Sequence, residues 1–134
     1  MDRQYVIIDT NFWLAPFEFR VDLLAQLEKL AEYKPMHILV PTPVRDELKM
    51  MAGMPAKIKN SRSARAALKV VERLLDEKKA TLYEIEGKAD GAIISAALQK
   101  SAWVATNDNA LRQKLKEKRI KTIVLRDKHI LTFA

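Results

Sequence analysis

Strand-like and helix-like segments alternate along the whole chain, and that alternation limits the fold more than any other feature. Residues 4–8, "QYVII", form a continuous β-prone run of the kind buried on both faces of a sheet. Over 19–33, Phe19, Leu23, Leu27, Leu30 and Ala31 recur at three- and four-residue intervals, which predicts an amphipathic helix. Residues 36–40 read as a second strand, ended by Pro41. Thr42-Pro43 is a helix start: Thr can cap, and the missing N–H of Pro costs nothing at the first helical position. That helix should stop near Gly53. Ser61 or Ser63 can cap the next one, with Ala64, Leu68, Val71 and Leu75 on one face. Then come a short strand over 81–86, a helix over 88–100 and a strand over 102–106. A helix over 108–118 follows, with Asp108 as its cap, and 121–126 is the last clear strand. This order predicts an α/β fold: three layers, α/β/α, around a mostly parallel central sheet. At 134 residues the chain suits a single domain, 1–134, with one core.

Composition narrows the function classes. No segment approaches the length of a membrane span, no signal peptide is visible, and no membrane partner is expected. The absence of Cys excludes disulfides, thiolate metal sites and a Cys nucleophile, and a cytoplasmic location is the default expectation. Lys and Arg total 24 against 17 Asp and Glu, a net charge of +7, which favours a polyanionic partner and above all nucleic acid.

Against that basic background, the placement of four acids stands out. Ligands of open parallel sheets bind outside the carboxyl ends of the strands. Asp9 ends the first strand, and Asp108 lies two residues past Thr106 at the end of the 102–106 strand. Glu47 is about one turn into the helix after the second strand, and Asp90 is in the first turn of the helix over 88–100. Each acid taken singly suits a helix start or a solvated face. Together on one rim they would repel one another unless a cation neutralised them. All-oxygen ligands suit Mg²⁺ or Mn²⁺, whereas His37 and His129 lie in unrelated segments and offer no zinc site.

In these residues the chain resembles the PIN domain family. "VIIDTN" at 6–11 resembles the opening strand and first acid, and "PTPVRDELK" at 41–49 resembles the second motif, with Glu47. "KADGAIISAA" at 88–97 resembles the third, with Asp90. "VATNDNALRQKLK" at 104–116 resembles the fourth, with Thr106 at the hydroxyl position and Asp108 as the acid. The stretch "DTNFWLAPFEF" looks closest to small archaeal members, which are related to ribosomal-RNA-processing factors; VapC toxins are neighbours. The resemblance implies a metal-dependent endoribonuclease in RNA processing or maturation. It assigns Asp9, Glu47, Asp90 and Asp108 as catalytic, metal-holding acids and RNA as partner. A VapC-type toxin with an antitoxin partner is one alternative. A non-catalytic RNA-binding module in ribosome assembly is another. Many relatives carry a second Asp after the third acid, where this chain has Gly91, and Asn109 stands beside Asp108. Four acids suffice for one Mg²⁺ or Mn²⁺, and a second ion stays open.

Asn11 and Thr106 suit a supporting role, orienting a carboxylate or a water by hydrogen bonding, although both types are also at home in strand-to-helix turns. Lys57, Lys59, Arg62 and Arg65, in the acid-free stretch "KIKNSRSAR", are the preferred phosphate grips. Arg112, Lys114 and Lys116 are further candidates, though a run such as "RQKLKEKR" is commonly a solvated face. Phe12, Trp13, Phe17 and Phe19 could pack the core, stack on bases or form a homodimer interface. Two other folds that bind at a strand end fit less well. A haloacid-dehalogenase-type phosphatase needs a second Asp where Asn11 stands, and a Rossmann site needs a Gly-rich turn near Asp9.

Overall fold

A computed structural model of the chain describes residues 3–134. Six strands form one sheet: β1 (Gln4–Ile8), β2 (Met36–Pro41), β3 (Ala80–Tyr83), β4 (Trp103–Ala105), β5 (Thr122–Arg126) and β6 (Ile130–Phe133). Six helices connect or flank them: α1 (Thr10–Phe19), α2 (Leu23–Leu30), α3 (Thr42–Ala52), α4 (Ser61–Asp76), α5 (Ala89–Lys100) and α6 (Asn109–Glu117). The sheet order is β3-β2-β1-β4-β5-β6. The first five strands run parallel, and β6 returns antiparallel to β5. The fold is the expected three-layer α/β/α arrangement with a mostly parallel sheet.

The continuous apolar runs are central strands, as burial on both faces requires. Val6, Ile7 and Ile8 of β1 have no exposed surface, and Ile38, Leu39 and Val40 of β2 have almost none. Helices seal the core with small and aliphatic side chains, among them Ala64, Ala67 and Val71 of α4, Ile93 and Ala96 of α5, and Leu111 and Leu115 of α6. The chain steps outward from β1 through β2 to β3 and then crosses back to place β4 on the other side of β1. The strand order therefore reverses between β1 and β4, where an open α/β sheet leaves a crevice at the carboxyl ends.

The structure corrects four local expectations. The helix expected over 19–33 is the shorter α2, Leu23–Leu30. Phe19 belongs instead to α1, which begins at Thr10 after β1 and is ended by Arg20 in the left-handed conformation (φ 56°). Asp22 then caps α2 by accepting from the Ala25 N–H at 3.1 Å. Thr42 does not cap α3: its hydroxyl donates to the Ile85 carbonyl (2.7 Å) and accepts from the Ile85 N–H (3.1 Å). Neither Ser61 nor Ser63 caps α4. Asn60 occupies that position at φ 71°, while the Ser61 hydroxyl donates back to the Pro55 carbonyl. Finally, 121–126 is not the last strand, because Asp127 and Lys128 turn the chain into β6.

Candidate active site

The reversal point carries Asp9. β1 extends into the site through an Asp9 N–H bond to the Ala105 carbonyl (2.9 Å), which continues the β1–β4 pairing to the rim. Asp9 is also the N-cap of α1, its Oδ1 accepting from the Thr10 N–H at 2.8 Å. Its Oδ2 accepts from the Thr106 hydroxyl at 2.8 Å. Thr106, fully buried at the end of β4, accepts in turn from the Asp108 N–H at 3.1 Å. Asp108 caps α6, its Oδ1 accepting from the Leu111 N–H at 2.8 Å. Two strand ends and two helix starts are thus joined through one hydroxyl.

On the other side of Asp9, Thr10 makes a second link. Its buried hydroxyl donates to Glu47 Oε1 at 2.9 Å, so α1 positions the acid of α3. Among the described residues Glu47 forms no ion pair. Asp90 lies in the first turn of α5. All four acids line one cleft of about 1150 Å³, together with Asn11, Asp46, Glu86, Gly91, Lys88 and Lys114. The segment that closes the side of the cleft, 85–88, is held by the Thr42–Ile85 pair of bonds and turns at Gly87, whose φ of 111° suits only glycine.

Burial pushes the Asp9 carboxyl above its ordinary value. The Thr106 and Thr10 hydrogen bonds partly offset this, and the nearby charges of Asp90 and Asp108 raise it further. Asp9 therefore senses Asp90 and Asp108, yet among the described residues no three acids close into a cage around one point. The donor set is all oxygen, and each oxygen of Asp9 retains acceptor capacity beyond its single hydrogen bond. An open arrangement of this kind fits a hard divalent ion that keeps several waters and takes only one or two direct carboxylates, as Mg²⁺ does.

The basic candidates separate. Lys57, Lys59 and Arg62 are exposed on the 53–60 connection and the start of α4, outside the lining of the cleft. Arg65 spends its guanidinium on the Ala52 (2.8 Å) and Met54 (2.7 Å) carbonyls, tying α4 to the end of α3. Lys114 lines the cleft, and Arg112 and Lys116 lie on the other side of α6. Phe12 and Trp13 are core residues, Phe19 is half-buried and Phe17 is exposed. Thr10, Glu86, Lys88 and Asn107 were not singled out from the sequence. Asn107 brackets Leu125 with two backbone bonds, Nδ2 to its carbonyl and Oδ1 from its N–H, and so fixes the loop between Thr106 and Asp108. Only the start of α1 at Thr10 could have pointed to that residue.

This geometry accompanies a match to a family model described as a PIN like domain, over residues 6–128. The chain belongs to the PIN-like domain family. Its sequence is 28% identical over 127 residues to ribonuclease VapC4 of Methanocaldococcus jannaschii, covering 92% of this chain and 91% of that protein. Ribonuclease VapC9 of Archaeoglobus fulgidus is 28% identical over 114 residues, covering 85% and 77%. Among solved structures, the PIN domain endonuclease Utp24 superimposes with a TM-score of 0.74 at 24% identity, over 96% of this chain and 90% of that one. A domain of a functionally unknown protein from M. jannaschii superimposes with a TM-score of 0.64 at 17% identity, over 92% and 91%. Both superpositions concern the fold. The matched span, 6–128, contains Asp9, Thr10, Glu47, Asp90, Thr106 and Asp108 of this PIN-like domain.

Proposed function

We propose that this PIN-like domain is a divalent-metal-dependent endoribonuclease that hydrolyses RNA phosphodiester bonds in RNA processing or maturation. The single observation that carries the reading is the state of Asp9. It is an acid at the reversal point of the sheet, held by two fixed donors and pressed upward in pKa by burial and by Asp90 and Asp108. Such clustering is unfavourable without a cation, which supports the reading of this cleft as a metal-dependent site.

Asp9, Glu47, Asp90 and Asp108 would hold Mg²⁺ or Mn²⁺, partly through water, with one ion sufficient and a second left open. A bound ion would supply a water of lowered pKa and would offset charge on the phosphoryl oxygens. Thr106 fixes the Asp9 carboxylate, and Thr10 fixes Glu47. Asn11 lines the cleft with its amide available to orient water or a phosphate oxygen. Lys88 and Lys114 are the cations of the lining and are placed to bind the anionic strand. Lys57, Lys59 and Arg62 extend the basic surroundings. Arg65 supports them by holding the connection in place. The working compartment is the cytoplasm.

The test is cleavage of a structured RNA with Mn²⁺ by wild type and Asp9→Asn. The variant should lose activity by more than about a hundredfold. Equal cleavage by both proteins would end the assignment. A VapC-type toxin is the second reading, favoured by the two ribonuclease relatives. It requires growth arrest on expression, relieved by a small antitoxin partner. RNA binding without metal-dependent turnover would instead mark an assembly module acting with ribosome-assembly partners.

A further inference from the structure

Helix α6 divides two different surfaces. Lys114 faces the acidic cleft, whereas Asn109, Arg112, Gln113 and Lys116, spaced along one side of the helix, line a separate groove of about 600 Å³. Arg119, Lys121 and Thr122 complete it where the chain passes from α6 into β5. All the charged side chains of this groove are cations: Arg112, Lys116, Arg119 and Lys121. Among the described residues none of the four is in an ion pair. Lys121 instead lies 4.3 Å from the centroid of the Phe133 ring, and Arg112 reaches only the Asn109 side chain at 3.3 Å. The groove begins at Asn109, the residue after Asp108, so its upper end adjoins the rim of the acidic cleft.

We infer that this groove binds the phosphodiester backbone of the RNA strand whose scissile phosphate lies in the acidic cleft. The strand would pass over the start of α6 and run down its far side. Four cations in one groove, lined also by Ala134 and with no acidic side chain among them, repel one another, and of the four only Lys121 has an aromatic ring to offset this. They suit a polyanion, which releases its counterions on docking. The inference rests on the ribonuclease reading for the identity of the strand, but not for the existence of the groove.

Binding of a fluorescein-labelled single-stranded RNA, followed by anisotropy in EDTA over a KCl series, tests it without cleavage. Lys116→Gln, Arg119→Gln and Lys121→Gln are combined in one variant. Lys29→Gln, Lys34→Gln and Lys69→Gln, exposed lysines elsewhere, make a second with the same change in net charge. Circular dichroism melting establishes that both fold. The groove variant should bind about tenfold more weakly, and its log–log salt slope should be shallower by about 2, that is roughly 0.7 for each lost contact. The matched variant should keep a slope near that of wild type. A groove variant that binds like wild type, or equal losses in the two variants, would overturn the inference. Groove-dependent binding with no Mn²⁺-dependent cleavage by wild type would sink the ribonuclease reading and leave the groove standing.

Discussion

Asp9 combines two roles that conflict at neutral pH. As N-cap and hydrogen-bond acceptor it stabilises the fold; as a half-buried charge it opposes it. Because burial raises its pKa above the ordinary 3.8, the folded chain binds this proton more tightly than the unfolded chain. In the window between 3.8 and the raised folded value the native state holds more protons, so stability falls as pH rises through it. Above the window the penalty is complete. Asn remains a good cap, so metal-free Asp9→Asn should melt higher than wild type at neutral pH. The advantage should fade as pH falls towards 3.8. Mn²⁺ should reverse the ranking: at a hundred times its Kd a ligand adds about 2.7 kcal/mol to the protein that binds it. Thermal melts in EDTA and in Mn²⁺ check both halves. Thr10 makes a separate case. Thr10→Val keeps the shape but removes the hydroxyl that holds Glu47. It should cost about 1 kcal/mol of stability and weaken Mn²⁺ binding about tenfold, read by calorimetry. A loss of stability with unchanged Mn²⁺ affinity would make Thr10 purely structural.

At the scale of elements, legibility followed burial. β1, β2 and β5 announce themselves because continuous apolar runs have few other uses. Asp9 after β1, Asp108 after β4 and the acids about a turn into α3 and at the start of α5 could be placed from that frame of alternating elements. The α1–α2 break could not. Apolar spacing continues across it, and its cause is a single left-handed residue, Arg20, of a type with no preference for that conformation. β6 was hidden for a similar reason. Asp127, Lys128 and His129 form a three-residue hairpin connection whose first two residues have positive φ (54° and 63°), without the Gly or Asn that usually signals one. Its stability comes from elsewhere, since the Gln26 side chain of α2 donates to the His129 carbonyl and accepts from the Leu131 N–H, both at 2.7 Å. Gln26→Ala should therefore cost about 1–2 kcal/mol. The loss should be local: amide hydrogen exchange should quicken at Leu131 and its β6 neighbours while β1 and β2 stay protected. Uniform acceleration over the sheet would show that β6 is no separate unit.

At the scale of the molecule, a chain of net charge +7 concentrates Asp9, Asp46, Glu47, Glu86, Asp90 and Asp108 in one cleft. The two signs act on different steps. On the proposed reading the basic exterior would attract an RNA strand from a distance, and the acidic cleft would repel the same strand until a cation filled it. Monovalent salt would then screen the first effect, and divalent ions would switch the second. If the ribonuclease reading holds, the two should separate kinetically. With Mn²⁺ saturating, raising KCl from about 50 to 200 mM should lower kcat/KM for a long RNA by more than about tenfold, as expected for three or more phosphate contacts. At saturating RNA, kcat should change far less, because the strand is already docked and the chemistry occurs where bulk ions have little access. Titrating Mn²⁺ at fixed salt should do the reverse and move kcat. Equal salt effects on kcat and kcat/KM would place the screened interactions in the transition state itself, and the division between a basic exterior that captures and an acidic cleft that cuts would fail.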